Sequence, residues 1–415
     1  MRKNKGFFIG MLVIFVMVSF AVIRSKLAEY DLDMPKESDI NKFVSEAQWK
    51  NGALMGNDML IYENDGLCYK ETKTGKGRKM CTKSGCIHNT PECMAWFDFG
   101  VSIEEIYVYH EKLYLIGISQ TSIVLFRCDM DGTNHERICE ISGLKDNYSS
   151  ISANSFLKTD TGVYVSVTAN DASNTEVLEN GVMSDAPGIA RLFYIDFESE
   201  KASAIHDFEE CYQCFLYFQN VSEDEIFFEF QGNTAPYEEL YDLETGELKK
   251  EDTTDISYVG VYNISKDTVR KFEDRKIGDY IGYDGTNTYV AEMDDKINLT
   301  GKVISINYKT NERKEIIVDE LKENKTGYST KITLLEDGFA LNTQKDDNIP
   351  GEIILFDKEW NPVQKVKNSK WYIVGEYNDI YTLRGNTASD YMGAYVYKED
   401  IKKVNRKAVR LSGEE

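Results

Sequence analysis

Two kinds of turn alternate along this chain, and that alternation limits its fold more than any other feature. The first kind is an Asn, Asp, Gly or Glu turn running into an apolar strand. It recurs as GNDMLIY (56–62), YHEKLYLIG (109–117), KTDTGVYVSV (158–167), SEDEIFFEF (222–230), YDGTNTYVAEM (283–293), LEDGFALN (335–342) and YNDIYTLR (377–384). The second kind ends an aromatic strand on an acidic or amide turn: CYKETKTG (68–75), RCDMDGTN (127–134), YIDFESEK (194–201), LYDLETGEL (240–248), SINYKTNE (305–312), LFDKEWNP (355–362) and VYKEDIKK (396–403). The two kinds strictly alternate, seven of each. Two hairpins make one four-stranded sheet, and a repeat of roughly 40–65 residues carrying one such sheet is the sequence signature of a propeller blade. The pattern therefore predicts an all-β chain, a β-propeller of seven four-stranded blades over 47–415. One blade cannot bury both of its faces alone, so neighbours pack face to face around a central channel. AVRL (408–411) is expected to close the ring by pairing with a strand near residues 50–56, which would remove exposed edges. Two stretches stand outside the repeat: 170–190, inside the third blade, and 253–272, read as an extra hairpin after the fourth. Connections longer than a fold requires are places to look for function.

Ahead of the repeat, residues 6–23 (GFFIGMLVIFVMVSFAVI) carry no charge and follow the basic residues Arg2, Lys3 and Lys5. At about 1.5 Å per residue a helix of this length approaches the thickness of a bilayer's hydrocarbon core. Residues 1–26 therefore read as a cytoplasmic tail and a single-pass transmembrane helix, with the bulk of the chain outside the cell membrane. Cleavage after Ala21, with Ser19 and Ala21 as the small residues, is the alternative. The first cysteine is Cys68, so no lipid-accepting cysteine follows the apolar run. Residues 27–46 read as a polar linker. No Asp or Glu precedes Lys26, while five of the 48 basic residues lie at or before it, so the chain beyond carries −27 against −22 for the whole. Such a surface repels phosphate backbones and argues against a nucleic-acid partner.

Three of the eight cysteines and one of the four histidines crowd into CTKSGCIHNTPEC (81–93). Cys81, Cys86, His88 and Cys93 supply three sulfurs and an imidazole, enough for a tetrahedral zinc shell, and Gly85 with Pro91 supplies turns to bend the loop. The spacing is not that of a common zinc finger. Outside a membrane neighbouring cysteines also oxidise, so a disulfide within the same three is the competing reading, and unlinked thiols are the third. A blade hairpin followed by Cys, four residues, Cys, one residue, His, four residues, Cys, one residue and Ala95 resembles a motif of uncharacterised surface β-propeller proteins of anaerobic Gram-positive bacteria, many of them lipoproteins. The resemblance is specific over 60–97 and architectural beyond. It implies a propeller at the cell envelope and lends no activity, and this chain departs from it in lacking the lipid-accepting cysteine. An anaerobic setting, implied by the same resemblance, would keep thiols reduced and favour metal.

Cys128 and Cys139 flank the DMDGTNHERI turn and are expected to face one another across a hairpin. Cys211 and Cys214 have the two-residue spacing of redox motifs, but no strand-to-helix turn is there to lower a thiol pKa. Asp129, Asp131 and Asn134 read as a plain turn rather than a calcium loop, because no Glu lies at the distal position. His110 precedes Glu111 without a second His four residues on, and His135 and His206 are placed at turns. No nucleophile elbow or phosphate loop occurs. The sequence thus points to a non-catalytic binding or scaffolding module for an envelope protein or glycan, with Trp96 as a contact residue if it does not merely fill space between blades. A carbohydrate-active hydrolase or lyase with carboxylates on one propeller face is the alternative, and a sensor signalling through the anchor is a third reading.

Overall fold

The computed structural model describes the chain from Ser45 to Leu411 with interruptions, the longest at 171–185 and 243–255. The expected anchor and nearly all of the expected linker fall outside the described residues. Among the described residues no helix is long and apolar enough to cross a membrane.

Seven antiparallel blades follow one another along the chain. Blade 1 contains β1 (Ser45–Trp49), β2 (Ala53–Met55), β3 (Met59–Glu63), β4 (Leu67–Glu71) and β5 (Gly77–Lys79), one strand more than the expected four. Blade 2 contains β6 (Ser102–Tyr109), β7 (Lys112–Ile118), β8 (Ser122–Asp129) and β9 (Glu136–Ser142). Blade 3 is built from β10 (Ser150–Lys158), β11 (Gly162–Asn170), β12 (Gly188–Asp196) and the first half of β13 (Lys201–Ser222). The second half of β13 opens blade 4 and is followed by β14 (Glu225–Asn233), β15 (Tyr258–Asn263) and β16 (Thr268–Asp274). Blade 5 has β17 (Gly278–Tyr283), β18 (Asn287–Met293), β19 (Leu299–Asn307) and β20 (Arg313–Ile317). Blade 6 has β21 (Thr330–Leu335), β22 (Gly338–Thr343), β23 (Gly351–Phe356) and β24 (Pro362–Ser369). Blade 7 has β25 (Trp371–Tyr377), β26 (Ile380–Gly385), β27 (Ala394–Tyr397) and β28 (Val409–Arg410).

The acidic and amide turns that mark the repeat have a common physical origin. At the end of the third strand an Asp or Asn side chain accepts backbone N–H groups two or more residues on. Asp196 takes those of Glu198 and Ser199, Asn307 those of Lys309 and Thr310, and Asp357 those of Glu359 and Asn361. Such Asx turns let a short polar side chain stand in for a backbone turn. Each turn then closes through a residue at positive φ, as at Glu200 (57°), Asp267 (49°), Asn311 (58°) and Trp360 (65°).

The innermost strands share a second device. A register shift interrupts their pairing at Ile103/Glu105, Ala153/Ser155, Phe218/Asn220, Tyr280/Gly282 and Ile373/Gly375. Bulges free backbone groups, and a buried orphan costs about 1–3 kcal/mol, so the neighbouring blade supplies partners. Asn342, fully buried on β22, donates to the carbonyl of Ile373 and accepts from its N–H. Ser155 likewise accepts the N–H of Phe218.

Alternating side chains send each blade's two faces into separate cores. Large clusters join blades 1 and 2, 2 and 3, 3 and 4, 5 and 6, and 6 and 7. Between blades 4 and 5 the apolar contact divides into two small groups, Phe227 with Val259 and Val261, and Val290 with Ile304 and Ile306; Phe227 also stacks on Tyr283 at 5.7 Å.

Three sequence expectations are corrected. Residues 253–272 do not add an extra hairpin: β15 and β16 are the outer hairpin of blade 4 itself, and LYDLETGEL falls in the connection from β14, which begins with the short helix α1 (Tyr237–Leu240). The seventh aromatic strand ends in a 3-10 turn (Lys398–Lys403) and a helical turn (Val404–Lys407) instead of a tight hairpin. The ring does not close by strand exchange, because β28 pairs with β27 of its own blade. Blades 7 and 1 meet instead through Tyr377, Ile380, Tyr395 and Leu411 against Leu60, Tyr62 and Cys68. The Lys70 ammonium donates to the carbonyl of Arg410 (2.6 Å), and the Tyr395 hydroxyl to that of Thr72 (2.9 Å).

Candidate metal centre

In an antiparallel blade the first and third turns lie at one end, and the second turn and the crossover to the next blade lie at the other. The long connections of this chain nearly all belong to the second end. By the residues between strand ends, they are the crossovers 80–101, 143–149 and 318–329 and the second-turn segments 171–187, 234–257, 344–350 and 386–393. The opposite end carries short turns, apart from the helical connection 398–408 in blade 7. The cysteine-rich stretch is the first crossover, leading from β5 to β6.

Several contacts dock this crossover onto its blade. The N–H of Met80 donates to the carbonyl of Leu67, and the N–H of Leu67 donates to the carbonyl of Ala95. Gly66, at φ 115°, permits that approach: a Cβ there would lie 2.4 Å from the Ala95 oxygen. Met80, Cys81, Cys93 and Ala95 pack with Leu67, Tyr69 and Ile106 in the core between blades 1 and 2. Arg78 donates from its guanidinium to the carbonyl of Cys81 at 2.8 Å.

The structure brings together all four residues singled out in the sequence. The ligand atoms of Cys81, Cys86, His88 and Cys93 all lie within 4.8 Å of one another. Tetrahedral zinc with Zn–S bonds of about 2.3 Å needs sulfurs about 3.8 Å apart, so small side-chain adjustments would bring these atoms to the spacing of such a shell. His88 Nδ1 is already 3.3 Å from Cys93 Sγ. The backbone bends sharply to achieve this, with Gly85 at φ 73° and His88 at φ 57°.

Two sulfurs also accept backbone N–H groups from two residues on: Cys86 from His88, and Cys93 from Ala95. Donors aimed at sulfur favour its charged form, the state that ligates metal. For Cys86 that bond is the main reason its thiol pKa is pulled down, with hydrogen bonds from Cys93 and Cys81 and, least, the Lys83 charge adding to the effect. Burial pushes the Cys93 thiol up to about 12, against the Ala95 N–H. A cation would supply the missing compensation, since three thiolates beside a buried core are costly without one. The cluster can therefore hold a metal ion, and its donor set of three sulfurs and one imidazole is that of a closed structural zinc site. The eight cysteines are all unbridged in the structure.

Trp96 is half-buried against the core between blades 1 and 2. Sequence reasoning missed Arg78, Gly66 and the two N–H donors, because nothing in residue type or spacing shows where a crossover touches its blade. The expected contact between Cys128 and Cys139 is absent. Cys139 opposes Leu125, and the two cysteines lie on opposite faces of blade 2, one in the core toward blade 1 and the other toward blade 3. His206 is not at a turn but within β13, with Nδ1 2.7 Å from Asp267. DMDGTN is a turn whose carboxylates are engaged internally: Asp129 accepts from Asn134 and Lys112, and Asp131 from Thr133.

No protein-family model matches the chain, and no curated protein matches it. Among solved structures it is similar to a prolyl endopeptidase, at 14% identity over 94% of this chain and 54% of that one, with a TM-score of 0.49. The chain thus spans about half the length of that endopeptidase. It is also similar to the β-propeller domain of the Trilobed protease from Pyrococcus furiosus, at 11% identity over 88% and 98% of the two chains, TM-score 0.46. An oligogalacturonate lyase in complex with manganese gives 10% identity over 77% and 76%, TM-score 0.45. Similarity at this level says nothing about what this chain binds or acts on.

Proposed function

We propose that the protein is a membrane-anchored, extracellular propeller that binds a protein or glycan at the cell envelope without catalysing a reaction. Its binding face is the end of the ring that carries the long connections, and zinc held by Cys81, Cys86, His88 and Cys93 pins the first of them. The observation that carries this reading is the asymmetry of the two ends: long connections and the convergent cysteines share one end, and short internally satisfied turns occupy most of the other. A rigid ring positions loops, and loops are where recognition residues concentrate.

Four turn carboxylates are engaged in holding their turns, which is in keeping with a binding role. A glycosidase of the two-carboxylate kind needs an acid whose pKa is raised. At Asp129, Asp267, Asp284 and Asp357 the carboxyl is held below its ordinary range. Lys112 holds Asp129 down, His206 Asp267, and Asn361 Asp357. For Asp284 burial acts upward, but hydrogen bonds from Tyr289, Asn287 and Thr286 outweigh it. These are the needs of turns rather than of a proton donor.

The test is capture of envelope protein or glycan by the detergent-solubilised full chain, compared with two variants. One replaces 173–183 with a short Gly-Ser linker, and the other changes the Lys309–Thr310 turn at the opposite end. Capture lost in the first and kept in the second supports the reading. Capture indifferent to the first variant contradicts it, and release of sugar fragments from envelope polysaccharide replaces it with the enzyme.

A further inference from the structure

The second cysteine pair lies at the only blade junction made without a connecting loop among the described strands. β13 leaves the outer edge of blade 3 and becomes the inner edge of blade 4, and Cys211–Cys214 is the corner. Cys211 pairs with Gly188 in blade 3, and Tyr212 pairs with Asn233 in blade 4. Phe215 then pairs with Gln231, so three steps along β13 match two along β14. On a regular strand residues three apart point to opposite faces. The extra residue, with Gln213 at φ 50°, reverses that parity and brings Cys211 and Cys214 to one side.

Their surroundings are shaped for two sulfurs. The thiols hydrogen-bond to one another, and both residues are almost wholly buried, at 3% and 4% exposure. Gly232 opposes the bulge, and a Cβ there would lie 2.4 Å from Cys211 Sγ. Asn233 donates to the Gln213 side chain at 3.1 Å and holds the corner. Cys214 accepts the N–H of Ala190, at the point where the β12–β13 register shifts. Among the described residues Cys211 and Cys214 fall in no group of three or more His, Cys, Asp or Glu side chains that could hold a metal ion.

We infer that Cys211 and Cys214 are a site of disulfide formation that locks the corner joining blades 3 and 4. The reaction is thiol–disulfide exchange with a small-molecule disulfide. Each cysteine loses its S–H proton, one Cys–S–S–Cys bond forms, the S–S bond of the reagent breaks, and its two halves leave as thiols. Two electrons pass from the cysteines to the reagent. The hydrogen bond with Cys211, and then burial, keep the Cys214 thiol protonated, so the folded protein exchanges slowly and the bridge is best formed as the chain folds. The bridge thus serves structure rather than turnover, in keeping with the absence of a helix end to activate either thiol.

The experiment incubates the zinc-loaded full chain in detergent with oxidised glutathione or with dithiothreitol, passes both through a cycle of unfolding and refolding, and alkylates under denaturing conditions. Peptide mass spectrometry then reads the cysteines. The expected result after oxidation is a peptide holding both residues unalkylated and lighter by two hydrogens, while Cys128 and Cys139 are alkylated. After dithiothreitol both Cys211 and Cys214 should be alkylated. Alkylation of both after oxidation, or a glutathione adduct on one of them, overturns the inference. As a second readout, the oxidised wild type should unfold at a higher urea concentration than the reduced, and Cys214→Ser should show no such shift. Equal midpoints for wild type would also overturn it.

Discussion

Both cysteine groups sit where the chain passes from the outer strand of one blade to the inner strand of the next, yet the two crossovers are built for different chemistry. The first spans 80–101 and has room to fold back on itself, so it can aim three sulfurs and an imidazole at one point. The second has no loop, and its two sulfurs are pressed together by a single bulge in a core of Leu216, Phe228 and Phe230. At the first, Cys86 is partly open to solvent, which gives an ion a way in, and backbone N–H groups steady the thiolates. At the second, the two thiols hydrogen-bond to one another and Cys214 also accepts the N–H of Ala190. The lesson is that cysteine spacing says little, whereas the length of backbone between strand ends decides whether sulfurs can surround an ion or only meet in pairs.

The largest effect expected from breaking this contrast is at the first crossover. Cys93→Ser removes a buried ligand and should abolish stoichiometric zinc, read by native mass spectrometry, and make 80–101 sensitive to limited proteolysis. Acid should act in the same direction. Zinc displaces protons from thiols, including that of Cys93 at about 12, so affinity must fall as pH falls, by roughly tenfold or more per pH unit near neutrality. Calorimetry in buffers of different ionisation enthalpy should show protons released on binding.

Changes at the second crossover should leave zinc untouched and act on stability. Cys214→Ser, compared with the oxidised protein, should cost about 2 kcal/mol in urea unfolding, the value for closing so short a loop. Gly232→Ala should cost about 1–3 kcal/mol because its Cβ meets Cys211, and markedly less in a Cys211→Ala background, a coupling that a double-mutant cycle measures. The smallest effect belongs to Lys83→Ala, which removes one exposed charge near Cys86 and should weaken zinc by less than about fivefold, with the difference vanishing in high salt.

The blades were legible because each turn solves a local problem with local residues. Asp196, Asn307 and Asp357 announce their turns by side chains that bond to the backbone within the next few residues. Long-range features were not legible in that way. YVGVYNISKDTVRKF carries the same Asx signature, with Asn263 accepting from Lys266, but the connection from β14 to β15 made it look supernumerary. Closure of the ring depends on packing between Tyr395 and Tyr62, residues far apart in sequence, and no periodicity encodes it. The metal residues could be named from their types and proximity, whereas their convergence depends on Gly66, Arg78 and Ala95, whose roles exist only once blade 1 has formed. The bulge that turns Cys211 toward Cys214 is equally invisible, since a strand of regular parity would have parted them.

Metal content and free thiols measured together on the full chain, purified without chelator or oxidant, decide between zinc and a disulfide at 81–93. One zinc per chain is expected, with Cys81, Cys86 and Cys93 resistant to alkylation until a chelator removes the ion, and no zinc after Cys86→Ala or His88→Ala. A chain free of zinc, with a disulfide mapped within 81–93 and His88 dispensable, would contradict it.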